Sequence, residues 1–150
     1  MDGIDRKILA ELQADGRLSL TELAGRVGLS MSPCHRRLRA LERSGAIGGY
    51  RAYLDAEALG LGFDALIFVT MRDASRATLD AFEPAVADIP NVLTAQRLFG
   101  DPDYLLQVVA KDLRAFQKLY DDRISTLPGV EKLSSTLVMK SVVENRPLPL

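Results

Sequence analysis

The chain lacks tryptophan and has one cysteine, one histidine and 6% aromatic residues. A single cysteine excludes an internal disulfide. One cysteine with one histidine cannot supply the usual zinc or thiol-enzyme constellations, so neither a cofactor nor a metal is expected. No stretch approaches the roughly 18 consecutive apolar residues of a membrane span. The acidic, charged N-terminus is unlike a signal peptide, so the expectation is a cytoplasmic protein without a membrane partner. What is present is ordinary for a folded chain: 150 residues, 47% hydrophobic and 26% charged, enough for one large or two small domains.

The net charge of −1 hides an asymmetry. Residues 1–53 carry nine Lys/Arg against six Asp/Glu, whereas residues 54–150 carry ten against fourteen. Affinity for DNA grows with the number of phosphates neutralised, so only the basic front is expected to meet double-stranded DNA.

Within that front, residues 19–50 read as two short helices joined by a glycine turn, the layout of a helix-turn-helix. Ser19 followed by Glu22 is a capping box ahead of Leu23, Ala24 and Val27. Gly28 suits the left-handed position that closes a helix. Ser30 or Ser32 can cap the second helix, Pro33 falls in its first turn, and Gly45 marks its far end. On a helical wheel Cys34, Leu38 and Leu41 form the buried stripe. The opposite side collects Ser32, Arg36, Arg39 and Arg43, with His35 and Arg37 on the flanks. Four arginines within eight positions suit phosphates and guanine edges. The same pattern also fits a solvated amphipathic helix, and the capped helix and turn upstream favour DNA. Cys34 and His35, being neighbours on a helix, point about 100 degrees apart and do not form a catalytic pair. Ile4, Ile8, Leu9 and Leu12 supply a third helix, and residues 47–54 read as an extended segment leading away.

The second half changes period. A continuous apolar run at 65–71 suits a strand, and Leu79, Phe82, Val86 and Ile89 recur at helical spacing after the cap Ser75. Residues 92–99 and 104–110 are two strands around a turn. Leu113, Phe116, Leu119, Tyr120 and Leu127 mark a second helix, which Pro128 and Gly129 break, and residues 133–143 form a last strand. The order β-α-β-β-α-β predicts a ferredoxin-like split unit, and the whole chain is α+β. Pro84 should kink or divide the first of these helices. Leu66, Phe68 and Thr70, with Leu106, Val108 and Ala110, make the strands apolar on both sides, which predicts a homodimer through the uncovered sheet face. The boundaries expected are 1–48 for the DNA-binding domain, 49–62 for a linker strand and hinge, and 63–150 for the ferredoxin-like domain.

The turn FGDPDYLL is the leading small-molecule candidate. Gly100 lets backbone approach a ligand, Asp101 and Asp103 can accept from an ammonium group, and Tyr104 offers a ring with a polar tip. Any hairpin turn uses the same residue types. Ser134 and Thr136 project hydroxyls on one strand face, where they could meet a carboxylate, and read equally as ordinary strand residues. An enzyme on this scaffold would have only Asp101 and Asp103 as a carboxylate pair, so no enzymatic activity is expected.

These residues together resemble the Lrp/AsnC, or feast/famine, transcriptional regulators. The resemblance rests on IDRKILAELQADGRLSLTELAGRVGLSMSPCHRRLRALERSGAIGGYRAYLD, then FGDPDYLL, LPGV and SSTLVMK, and spans Ile4 to about Val143. It implies dimers that associate into tetramers or octamers, bend or wrap DNA, and respond to an amino acid or similar metabolite held in a cleft between dimers. It also implies that Gly100, Asp101, Pro102, Asp103, Tyr104, Ser134 and Thr136 form the effector site. Pro102 departs from the aromatic residue often found in the turn, and Val143 stands where many members have lysine. The expected function is a sequence-specific, effector-responsive DNA-binding regulator. An architectural DNA-binding protein without an effector is the alternative.

Overall fold

The computed structural model describes residues 1–150. The chain forms two units, one of Met1–Tyr53 with Val142–Leu150 and one of Leu54–Ser141.

The first unit is helical: α1 (Gly3–Ala14), α2 (Leu20–Val27) and α3 (Met31–Arg43). The starts of α1 and α2 follow from local chemistry. Asp2 caps α1 by accepting from the amides of Ile4 and Asp5, while the Asp5 carboxylate accepts from the Asp2 amide. Ser19 and Glu22 make the expected reciprocal box at α2. Gly28 ends α2 at φ 72°, a left-handed backbone that a Cβ would strain, and the Leu29 amide reaches back to the Ala24 carbonyl. Ser30 stands at the cap position of α3, but its side chain makes no capping bond. Ile8, Leu23, Ala24, Val27, Cys34 and Leu41 are buried at the centre of the three helices.

The extended segment expected at 47–54 forms no strand. Pairing requires a neighbour with a free edge, and here the two tyrosines turn to side-chain partners instead: the Tyr50 hydroxyl donates to Glu42 and that of Tyr53 to Glu144. The hinge region 49–62 is likewise without strand, and residues 142–150 group with the helices rather than with the ferredoxin-like domain to which 63–150 was assigned.

The second unit runs β1 (Phe63–Met71), α4 (Arg76–Ala87), β2 (Val92–Arg97), β3 (Tyr104–Ala110), α5 (Leu113–Leu119) and β4 (Val130–Leu137), with α5 continuing as one π-helical turn at Tyr120–Ile124. The sheet is antiparallel in the order β2-β3-β1-β4, and the ferredoxin-like expectation is met. Ala65, Ile67, Val69 and Met71 of β1 are buried with Tyr104, Leu106, Val108 and Ala110 of β3 in a core that includes Phe82, Val86 and Phe116 of the helices.

The remaining face of β1 holds Asp64, Leu66, Phe68 and Thr70, each only partly covered. Register puts Leu66 opposite Gln107 and Phe68 opposite Leu105, so Leu106, Val108 and Ala110 belong to the helix-covered face and not to the open one. Two more expectations change. β4 starts at Val130 and stops at Leu137, because β1, its one neighbour, begins at Phe63; the last rung is the Val138 amide donating to the Asp64 carbonyl. α4 runs through Pro84 undivided. Pro84 is exposed, and so is Asp80, whose carbonyl it leaves without an intrahelical donor and which can face water.

Candidate DNA-reading helix and effector turn

The capped α2 and the three-residue turn at 28–30 set α3 with its apolar stripe inward: Cys34 and Leu41 are buried and Leu38 packs against them. Burial pushes the Cys34 thiol up, away from nucleophilic use. The other side of α3 is free for contact. Ser32, His35, Arg36, Arg39 and Arg43 are exposed, and Arg36 and Arg43 enter no ion pair. Arg39 reaches Glu42 at 3.1 Å and the His35 imidazole at 3.4 Å. An exposed pair of this kind opens at little cost, so Arg39 remains available to a phosphate.

Arg37 holds partners within its own unit. Its guanidinium lies 2.8 Å from both the Asp2 and Asp5 carboxylates, which fastens the start of α1 to α3. The backbone amides of the capping box, with Arg37 beside them, hold both carboxyls below their ordinary range. The helical wheel could not reveal this, since the partners lie more than thirty residues away.

In the second unit the turn joins β2 to β3. Gly100 has φ 143°, the Asp101–Pro102 peptide is cis, and Asp101 is exposed with no hydrogen bond. Asp103 is committed to structure: its amide donates to the Val69 carbonyl at 2.9 Å, its carboxylate accepts from the Met71 amide at 2.7 Å, and its carbonyl accepts from Leu98. The turn is thereby pinned to the end of β1.

Tyr104 is buried on the helix-covered side, its ring 4.6 Å from that of Phe82. Its hydroxyl donates to Glu83 at 2.8 Å and accepts from the Arg97 Nε at 3.0 Å, and Arg97 also pairs with Glu83. Donation from the Tyr104 hydroxyl, and then Arg97, holds the Glu83 carboxyl low. Burial first, and then Glu83, pushes the Tyr104 phenol up. Glu83 and Arg97 went unrecognised in the sequence. Arg97 could have been found from the hairpin register, which places it opposite Tyr104.

Ser134 and Thr136 lie opposite Phe68 and Leu66, exposed on the open face. They are therefore on the other side of the sheet from the Tyr104 ring. Within one chain the Tyr104 ring and the two hydroxyls are not brought together.

Residues 1–42 match the AsnC-type helix-turn-helix domain and residues 64–148 the Lrp/AsnC ligand binding domain. The chain is 43% identical to a leucine-responsive regulatory protein of Rhizobium meliloti, over 95% of this chain and 91% of that one. It is 40% identical to the Bkd operon transcriptional regulator of Pseudomonas aeruginosa, over 100% and 98%. Its fold superposes with a TM-score of 0.93 on a transcriptional regulator of Neisseria meningitidis solved in complex with L-Met, at 38% identity and covering 99% and 96% of the two chains. With both halves matched in order, on a capped helix-turn-helix and a four-stranded sheet of the expected topology, the chain belongs to the Lrp/AsnC family of transcriptional regulators.

Proposed function

We propose that the protein is a sequence-specific DNA-binding regulator whose operator affinity or assembly responds to an amino acid. The observation that carries the DNA half is the outer side of α3, where Ser32, His35, Arg36, Arg39 and Arg43 stand exposed. Arg36 and Arg43 read the operator without first giving up a protein partner; Ser32, His35 and Arg39 complete the contact, and Arg37 acts through α1. Arginine is the residue suited to bidentate recognition of guanine and phosphate.

The effector half rests on the turn. The free Asp101 carboxylate receives the ammonium group, with Gly100, Pro102 and the second oxygen of Asp103 shaping the approach, while Tyr104 props the turn from behind through Glu83. Ser134 and Thr136 offer hydroxyls to a carboxylate. In this reading another copy of the chain completes the site. The cleft between dimers that the family resemblance implies supports such sharing, and the Neisseria relative solved in complex with L-Met supports an amino acid as the effector class. Pro102 removes the aromatic wall that relatives often have in this turn, so their effector choice does not carry over. The assembly is a homodimer through the open sheet face that associates further into a tetramer or octamer.

An effector that prefers one assembly by about 1–3 kcal/mol changes operator affinity roughly 5- to 150-fold. The test is fluorescence anisotropy on DNA upstream of this protein's own gene against scrambled DNA across a salt series, followed by calorimetry with a panel of amino acids. Preferential binding that weakens with salt, and heat from at least one amino acid, are expected. Equal binding to both DNAs with a silent panel would replace this reading with an architectural one.

A further inference from the structure

The segment Val142–Leu150 belongs with the DNA-binding helices, although the strand before it belongs to the sensor sheet. The chain therefore passes between the two units twice, once after Tyr53 and once after Ser141. The second passage is held by specific contacts. The Gln13 side-chain amide of α1 grips Leu148 on both sides, accepting from its backbone amide at 2.7 Å and donating to its carbonyl at 3.3 Å. Tyr53 donates to Glu144 at 3.0 Å. Leu148 and Leu150 border an apolar groove of about 420 Å³ with Leu9, Leu12, Ile47 and Tyr50, but both side chains stay exposed, Leu148 by 70%, so the Gln13 clamp is the main hold.

The sequence of the tail is suited to this docking. Pro147 and Pro149 flank Leu148, so φ is fixed on both sides and little chain freedom is lost when the segment binds. Between the prolines the backbone has one donor, the Leu148 amide, and Gln13 takes it. Upstream, residues 138–141 separate the strap from the end of β4, whose last rung is Val138 to Asp64. β4 is an edge strand held by β1 alone.

We propose that Val142–Leu150 is a strap that fastens the DNA-binding unit to the end of β4, so that strand fraying and strap release are coupled. This gives the strand bearing Ser134 and Thr136 a second connection to the DNA-binding helices besides the linker, one closed by the noncovalent Gln13–Leu148 contact. The regulatory meaning rests on the proposed effector role of those two residues, whereas the strap itself does not.

The test needs neither DNA nor effector. Hydrogen exchange of the full chain is read residue by residue by mass spectrometry, for the unmodified protein, for Gln13→Ala, and for Leu148→Ser combined with Leu150→Ser. The Leu148 amide is expected to be protected in the unmodified protein. In Gln13→Ala it should exchange roughly tenfold faster, with Val138 and Leu137 accelerating alongside it while the β1 and β3 amides of the core stay slow. The double serine variant should release Val138 in the same way, which separates strap loss from any effect of Gln13 on α1. Exchange of Leu148 at the rate of an unstructured peptide in the unmodified protein would overturn the proposal. So would release of Leu148 that leaves Val138 within twofold of its original rate.

Discussion

Among the arginines of α3 the decisive difference is what each already holds. Arg36 has no protein partner, so its substitution should affect DNA and little else: Arg36→Ala is expected to cost about 1–3 kcal/mol of operator affinity by anisotropy with an unchanged melting temperature. Arg37 is the opposite case. Its loss leaves Asp2 and Asp5 facing each other at the start of α1, so Arg37→Ala should lower the melting temperature at neutral pH. Both carboxyls titrate below their ordinary value of 3.8 in the folded protein. Their contribution to stability is thus fully present above about pH 4 and is lost as pH falls through the depressed values. The melting-temperature gap between the unmodified protein and Arg37→Ala should narrow across that acid window, as read by circular dichroism from pH 7 to pH 2. A gap that stayed constant would mean that Arg37 supports the fold by packing rather than charge.

Elements whose signals are local could be read directly from the chain. The Ser19 and Glu22 box, the Gly28 stop and the Ser75 cap depend on residues within a turn of one another, and the structure contains them; the sensor helices are also there, but they end at Ala87 and Ile124, short of Ile89 and Leu127. Ser19→Ala should therefore cost about 1 kcal/mol in denaturant unfolding of the helical unit. Contacts decided at a distance were not legible. The end of β4 depends on where β1 begins, the facing of Ser134 against Tyr104 on register, and the commitment of Tyr104 on Glu83 from another element. Val142 and Val143 are apolar and strand-like in sequence, but no neighbouring strand is there to pair with them. Gly129 combines both kinds of information. Its φ of 73° marks a turn, and a Cβ there would overlap the Thr78 methyl of α4. Gly129→Ala should thus destabilise the sensor unit by at least about 1 kcal/mol, and adding Thr78→Ser should recover only the steric part, leaving the backbone strain.

At the scale of the whole molecule, the open sheet face is the feature that a single chain leaves unfinished. Leu66, Phe68 and Leu105 lie there partly exposed, flanked by Gln107 and Ser134. Beside them Asp64 accepts from Gln107 through one oxygen, while its other oxygen is buried with no partner. An unmet buried acceptor costs about 1–3 kcal/mol, and a donor from a second copy would remove that cost while the apolar side chains leave water. Phe68→Asp puts a charge at the centre of this face without touching the helix-covered core, since Ile67 and Val69 carry that side of β1. Sedimentation at micromolar concentration is expected to show the unmodified protein as a dimer or larger and Phe68→Asp shifted to lower mass, with the far-ultraviolet spectrum of the fold retained. Operator affinity should fall with it, because two linked helix-turn-helix units bind half-sites far more tightly than one. A Phe68→Asp protein of unaltered mass would move the dimer contact away from the sheet, and the completion of the effector site by a second copy would have to be sought at another surface.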